Sequence, residues 1–395
     1  MKITRFLKIS CIFLLLLLNG CQADKEVEHN QDLIIHPIIE GEYGTVLPYE
    51  VSDTRYIHNI YRTNQYDPLN MGELALDLAK KYFNPSYVYV KEGTVLNNTD
   101  LEDTNLATYI STGLLKYKSN DNPNGLNPEK GIAYDNGEGV MMVNPIMVSD
   151  VYEMDYCEVV EGECEYVGFT FIIVLNSQVL YYEPQRDDDG NIVYEDGKAL
   201  TSGSLKSIEV TEDQLFTYGS VEAGQRLVSE LRNNHPEVGN LPIHILLYEA
   251  SVADSYLPGS FIGEALIEDR SSTYTQLNQE WAFLPSARFA ELNNVLNSQF
   301  NTAVNQLFES FPTDVGFFGK GFFEDYALKK LELELNMQAK TYVECQSAIQ
   351  MVARLCNEYL SEKTYEVEVV VKSDDEVIAL IERAEGEEQV KVRMI

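Results

Sequence analysis

Positive charge is scarce in this chain: 29 Lys and Arg stand against 63 Asp and Glu, a net charge of −34. Nucleic acids and anionic lipid surfaces are held by a positive field, so both are excluded as partners on charge alone. Histidine is also sparse, with His29, His36, His58, His235 and His244 the full set. No pair of them has metal-ligand spacing, and Cys-x-x-Cys is absent, so neither a metal nor any other cofactor is expected. No Gly-x-Ser-x-Gly turn occurs. Gly316–Gly321 has the wrong spacing for a phosphate loop and no Ser or Thr after Lys320. Gly259–Gly263 reads as a turn entering a strand. His244, between Ile243 and Ile245, reads as a satisfied sheet histidine. The single tryptophan, Trp281, and the 25 tyrosines are enough to line a groove, though most should be packing.

Long apolar runs are missing too, with one exception. Cys11–Leu18 is uniformly apolar and follows Lys2, Arg5 and Lys8. It falls well short of the roughly 20 residues that span a bilayer, and a basic start before a short apolar core is the secretory pattern. The run ends in Leu18-Asn19-Gly20-Cys21. A Leu three places before Cys and a small residue directly before it form a lipobox: the small residue admits the peptidase, and the Cys thiol takes a diacylglyceryl group. The expectation is a signal peptide over 1–20 and a lipid on Cys21, installed by lipoprotein-processing enzymes, that fixes the chain to the outer face of a membrane. Losing three basic residues with the leader takes the net charge to −37.

The remaining length is too great for one small core. Residues 21–43 read as a tether, 44–270 as a first α+β region and 271–395 as a second. Helices are expected at Leu74–Phe83, Glu222–Asn233, Phe289–Phe308 (capped by Ser286) and Tyr342–Leu360. Strands are expected at Tyr166–Leu175, Gln178–Glu183, Leu241–Glu249, Ser260–Ile267, Val315–Glu324, Leu328–Leu335, Tyr365–Lys372, Glu376–Glu382 and Gln389–Met394. Tyr117–Gly139 is rich in turn residues and reads as loop. Asp187-Asp188-Asp189 lacks the alternating ligands of a calcium loop and reads as an exposed hairpin turn. The order strand, helix, strand, strand occurs twice, over Tyr166–Asp269 and Leu328–Ile395. The fold class is therefore α+β, antiparallel sheets with packed helices in two related units.

Cys157 and Cys164 flank six residues. A turn over Val159–Gly162 would set the thiols opposite each other, and outside the cell such a pair can be bonded or free. Cys345 and Cys356 lie on one face of a predicted helix, about 16 Å apart along its axis. They cannot bond to each other and read as small buried residues.

Several stretches, in order, resemble the CamS-type sex-pheromone-precursor lipoproteins of Gram-positive bacteria: Tyr43–Tyr49, Gly125–Pro128, Leu241–Tyr248, Pro258–Ile262 and Phe283–Ser286. Length and lipobox match as well. The resemblance implies that a short apolar peptide is cut from the signal sequence directly before the lipidated Cys and sensed by a receptor on mating partners. Here that peptide is Leu14-Leu15-Leu16-Leu17-Leu18-Asn19-Gly20. It departs from the family's peptides, which vary their apolar residues and end in Ala or Ser. The resemblance implies no enzymatic activity. The alternative is an extracellular binding module for a peptide or cell-wall ligand, which requires a concave, tyrosine-lined pocket. A carboxylate hydrolase would require two acids facing each other across a cleft, about 5–9 Å apart if glycosidic.

Overall fold

The computed structural model describes residues 33–395, apart from 38, 61, 108–109, 269–272, 312–314 and 340. The chain enters a sheet at once. Strand β1 (Leu33–Ile35) pairs with β2 (Gly44–Leu47), so part of the stretch expected to be tether belongs to the fold. Helix α1 (Pro68–Ala79) starts six residues before the apolar stripe suggests. Asp67 caps it and Pro68 occupies its first turn, where no N–H is needed. β3 (Tyr89–Glu92) and the one-turn helix α2 (Asn98–Leu101) follow.

Two long strands then dominate: β4 (Met141–Val160) and β5 (Glu163–Pro184). They form one hairpin, turned by Glu161 and Gly162 with φ of 55° and 91°. Positive φ at both central residues matches the right-handed twist of the strands. The two strands expected within β5 are one, and β4 was not expected at all.

β6 (Thr201–Glu209) pairs along the outer half of β5, beyond a small exposed hairpin that holds Asp187–Gly190. The Asp187 carboxylate accepts the backbone N–H of Asp189 and Asn191, the expected turn chemistry.

Helix α3 (Glu212–Tyr218) carries a capping box between Thr211 and Gln214 and runs through one π turn, Gly219–Ala223, into α4 (Gly224–Asn234). The helical stretch thus begins ten residues before the expected Glu222. A Cβ on Gly219 would lie 2.9 Å from the Leu247 side chain, so the helix lies directly on the sheet there.

The unit closes with β7 (Ile243–Ala250), β8 (Ser260–Ile267) and β9 (Thr275–Gln276). Residues 168–177 of β5 are all buried, because helices cover both faces of this sheet. Phe169, Phe171, Ile173 and Leu175 pack toward α3 and α4; Ile172 and Val174 pack toward Met71, Ala75 and Leu78 of α1.

The second unit comprises β10 (Gln279–Leu284), helices α5 (Ala287–Leu292) and α6 (Asn294–Ser310), β11 (Val315–Glu324), β12 (Ala327–Met337), α7 (Tyr342–Tyr359), β13 (Glu366–Ser373), β14 (Glu376–Arg383) and β15 (Lys391–Met394). Ser286 caps α5 as expected, its Oγ accepting the Phe289 N–H at 3.0 Å. The single expected helix is broken at Asn293, which caps α6. Only one face of this sheet is covered by its own helices; the other carries charged residues and is met at one end by α1 of the first unit. Leu331, Leu333, Val367 and Val369 pack on α6 and α7. The alternate residues form ion pairs on the open face, Lys320–Glu332 at 3.1 Å and Lys372–Glu334 at 2.7 Å. On α7 Cys356 is buried, while Cys345 is only half-buried, against expectation.

The two units share one topology. Strands run β3-β4-β5-β7-β8-β9 in the first sheet and β10-β11-β12-β13-β14-β15 in the second. In both, the successive pairings are antiparallel, antiparallel, parallel, antiparallel, antiparallel. The parallel step is bridged in each by a helical crossover, α3–α4 or α7, as parallel neighbours require. The first unit differs by the edge strands β1 and β2, by α1 on its second face, by its doubled hairpin with β6 alongside, and by residues 93–140, inserted where the second has α5 and α6. Within that insert Tyr117–Gly139, expected to be loop, holds short strands at Tyr117–Lys118, Asn127–Glu129 and Ala133–Asp135. The expected boundary at 270/271 lies outside the described residues.

Candidate functional site

Cys21, Leu18, Asn19, Gly20 and the stretch Leu14–Leu17 all lie outside the described residues. Cys157 and Cys164 are bonded to each other. They are diagonal neighbours across the β4–β5 turn and not directly opposite, since Cys157 faces Tyr166 and Cys164 faces Val159. The strand twist brings their Cα atoms to 5.5 Å.

The open face of the second sheet looks onto α1 of the first unit, and a cavity of about 330 Å³ lies between them. Trp281 and Phe322 are cross-strand partners on β10 and β11 and form one wall, their rings 5.1 Å apart. Lys320 Nζ sits 4.8 Å from the Trp281 ring centre on its flank. Lys330 reaches Glu73 of α1 at 3.8 Å and Glu332 at 3.2 Å. Burial works to lower the Lys330 ammonium, but Glu332 and Glu73 more than reverse this and hold it above the usual lysine value. Burial pushes the Glu366 carboxyl up, against the pull of Lys330.

Three lining atoms are buried without a hydrogen-bond partner: Asn70 Oδ1, Gln279 Oε1 and Trp281 Nε1. Native proteins leave few such atoms, and each calls for an explanation, a bound molecule being one. Among the described residues no Ser, Thr, Cys or His lines this cavity. Its equipment is an aromatic wall, two acceptors, a donor, three lysines and five carboxylates. Trp281 was legible in the sequence as the lone tryptophan; Asn70 and Gln279 were not. The wall is tryptophan and phenylalanine, so the tyrosine-lined pocket required of a binding module is not what this cavity provides.

Other polar groups are internal braces. Asp150, fully buried on β4, accepts from His58 Nδ1 at 2.9 Å, the Asn59 N–H at 2.9 Å, the Val151 N–H at 2.9 Å and the Tyr66 hydroxyl at 3.1 Å. His58 stacks on Tyr152, ring centres 4.1 Å apart, and its Nε2 meets Thr54 Oγ1 at 3.1 Å. The Thr–His–Asp order imitates a hydrolytic triad. Thr54 is 3% exposed and its hydroxyl is shared with Ser52, so it is closed to a substrate. His244 is a satisfied sheet histidine, between Thr170 Oγ1 at 3.2 Å and Glu264 at 3.3 Å. The fold also assembles what spacing did not reveal: Asp100, Glu230 and His235 each place one ligand atom within 4.8 Å of the other two.

The sequence profile described as the CamS sex pheromone cAM373 precursor matches residues 49–389. The chain belongs to the CamS family. The match spans both units and the cavity between them. Two solved structures have the same fold as this CamS protein. One is a sex pheromone precursor from Lactobacillus salivarius subsp. salivarius, 21% identical, with a TM-score of 0.73 over 92% of this chain and 98% of that one. The other is the C-terminal domain of the sex pheromone staph-cAM373 precursor from Staphylococcus aureus, 22% identical, with a TM-score of 0.62 over 85% and 98%. At such identities the likeness is one of fold. No curated protein sequence matches the chain. Among the described residues no helix is long and apolar enough to cross a membrane.

Proposed function

We propose that this CamS protein is an exported lipoprotein, held on the outer face of the cell membrane by a lipid on Cys21, and the precursor of an apolar peptide, Leu14–Gly20. The observation that carries the reading is Leu18-Asn19-Gly20-Cys21, placed directly after a basic start and an apolar run in a chain of this family. Two features support an extracellular setting. Cys157 and Cys164 are bonded, which suits an oxidising compartment. The acidic surface keeps the folded part in water and off anionic headgroups. Acyl chains on Cys21 contribute about 0.8 kcal/mol for each buried CH₂, a firm anchor when more than one chain is attached. The folded domain is non-enzymatic in this reading. Mass spectrometry of culture medium should find the Leu14–Gly20 peptide, and the synthetic peptide should raise a mating response in recipient-sensing cells. An inert peptide refutes the pheromone role and leaves the anchor standing.

A second reading is favoured by the unpartnered Asn70, Gln279 and Trp281 atoms: the folded domain binds a peptide or cell-wall fragment in the inter-unit cavity. Trp281 is the only tryptophan, so emission excited at the red edge of tryptophan absorption, where the 25 tyrosines do not absorb, reports on this cavity alone. Titration with wall-derived glycopeptides should shift its emission, and an unchanged spectrum at saturating fragment would remove the reading.

A further inference from the structure

Asp100, Glu230 and His235 meet where the inserted segment touches the crossover helix. Asp100 is the third residue of α2, its Oδ2 accepting the Asn97 N–H at 2.9 Å. Glu230 lies on the last turns of α4, its carboxylate steadied by Asn234 Nδ2 at 2.7 Å and Asn124 Nδ2 at 2.6 Å. His235 ends α4. Its side chain is only 7% exposed, yet Nε2 has no hydrogen-bond partner and stands 3.8 Å from Asp100 Oδ2, too far for a hydrogen bond. On the other side of the ring, Nδ1 is 3.4 Å from Glu237 Oε1.

This is the arrangement of a metal-ligating histidine. Glu237 lies close enough to Nδ1 to orient the ring once a metal binds, while Nε2 is unpartnered and turned toward Asp100, with Glu230 in the same cluster. We infer that Asp100, Glu230 and His235 form a divalent-cation site of the borderline class represented by Zn²⁺, with Glu237 as the outer carboxylate that orients His235. One imidazole and two carboxylates suit Zn²⁺ better than Ca²⁺ or Mg²⁺, which prefer all-oxygen cages. Tetrahedral bonds of about 2.0–2.2 Å put neighbouring ligand atoms about 3.4 Å apart. The observed spread, up to 4.8 Å, would have to close on binding, with Glu230 exchanging its Asn124 and Asn234 hydrogen bonds for the ion. Three protein ligands leave the fourth position to water or to a partner's group. The ion would staple residues 93–140, which have no counterpart in the second unit, to α4.

The test is a Zn²⁺ titration of the full-length, tag-free chain in detergent micelles after stripping with EDTA. One equivalent should bind and raise the melting temperature, with Ca²⁺ and Mg²⁺ at the same concentration giving a smaller rise. His235→Ala and Glu230→Gln should each weaken binding at least a hundredfold, and Glu237→Gln about tenfold. His36→Ala, far from the cluster in sequence, should leave it unchanged. Far-UV circular dichroism of each metal-free variant is checked against the parent. If His235→Ala does not fold, Glu230→Gln decides, since it removes only the charge. Unchanged Zn²⁺ affinity in the ligand variants, a stronger response to Ca²⁺, or no stoichiometric Zn²⁺ in the folded parent chain would each overturn the assignment.

Discussion

Asp150 holds an irregular stretch of chain onto the sheet, and removing it measures how much that brace contributes. Its two oxygens accept four hydrogen bonds, from His58, Asn59, Val151 and Tyr66, and the side chain is fully buried. Hydrogen bonds to a charged group contribute about 1.5–3 kcal/mol each, and part of that only offsets the cost of burying the carboxylate. Asp150→Ala leaves two backbone N–H groups and an imidazole without this acceptor, and the Tyr66 phenol with only a long contact to the Tyr152 hydroxyl. Breaking buried charged interactions from one side costs about 3–5 kcal/mol, a large share of a total stability of about 5–15 kcal/mol. Asp150→Asn keeps one acceptor oxygen and turns the other position into a donor, which clashes with the Asn59 N–H; about 1–3 kcal/mol is expected. Urea unfolding gives both values, and hydrogen exchange should show residues 53–60 opening first. A loss below about 1 kcal/mol in Asp150→Ala, or unaltered protection of residues 53–60, refutes the brace.

Further outcomes follow from other sites. Burial, with Glu212 adding to it, pushes the Glu249 carboxyl up to about 7. Between the ordinary carboxylate value and about 7 the folded chain keeps a proton that the unfolded chain has lost, so this residue's contribution to stability falls as pH rises through about 7. Glu249→Gln should therefore stabilise the protein at pH 8 by about 1–2 kcal/mol, discounted for partial exposure, and have little effect at pH 4; melts across that range check it. Tyr326 turns the β11–β12 hairpin with φ of 64° while 70% exposed. Tyr326→Gly should raise stability by about 0.5–1 kcal/mol, because relief of the left-handed strain exceeds the added chain entropy; a fall on chemical denaturation contradicts this. Replacing Cys157 and Cys164 together by Ala should cost about 2 kcal/mol, since the bond closes a short loop already turned by a hairpin; equal unfolding midpoints for parent and variant would show the bond to be idle.

The second unit was the more legible half because its cues are local. Its strands alternate, its open face is charged, and Ser286 marks a helix start, so β11, β13 and β14 fall within a residue or two of expectation. In the first unit the doubly buried strands β5, β7 and β8 were legible as apolar runs, but β4 was not. β4 mixes Asp150, Glu153 and Asp155 into an apolar strand, which erases the period-two signal. Cap signals were present but outweighed: Asp67-Pro68 opens α1 and Thr211 to Gln214 opens α3, each before the apolar stripe begins. The repeat was legible as an order of elements, and the shared strand order of the two sheets strengthens it. The cavity groups Asn70, Gln279 and Trp281, and the cluster of Asp100 with Glu230 and His235, come together only through long-range pairing. Single-sequence spacing carries no trace of either.

The anchor at Cys21 is the claim on which the functional reading stands. Its most direct test is the intact mass and N-terminal peptide of the protein recovered from the membrane fraction. The expected product is a chain that begins at Cys21, lacks residues 1–20 and carries a diacylglyceryl group on the thiol, all of this lost in Cys21→Ala. A chain with another N-terminus, an unmodified Cys21, or undiminished lipid labelling of Cys21→Ala would contradict it.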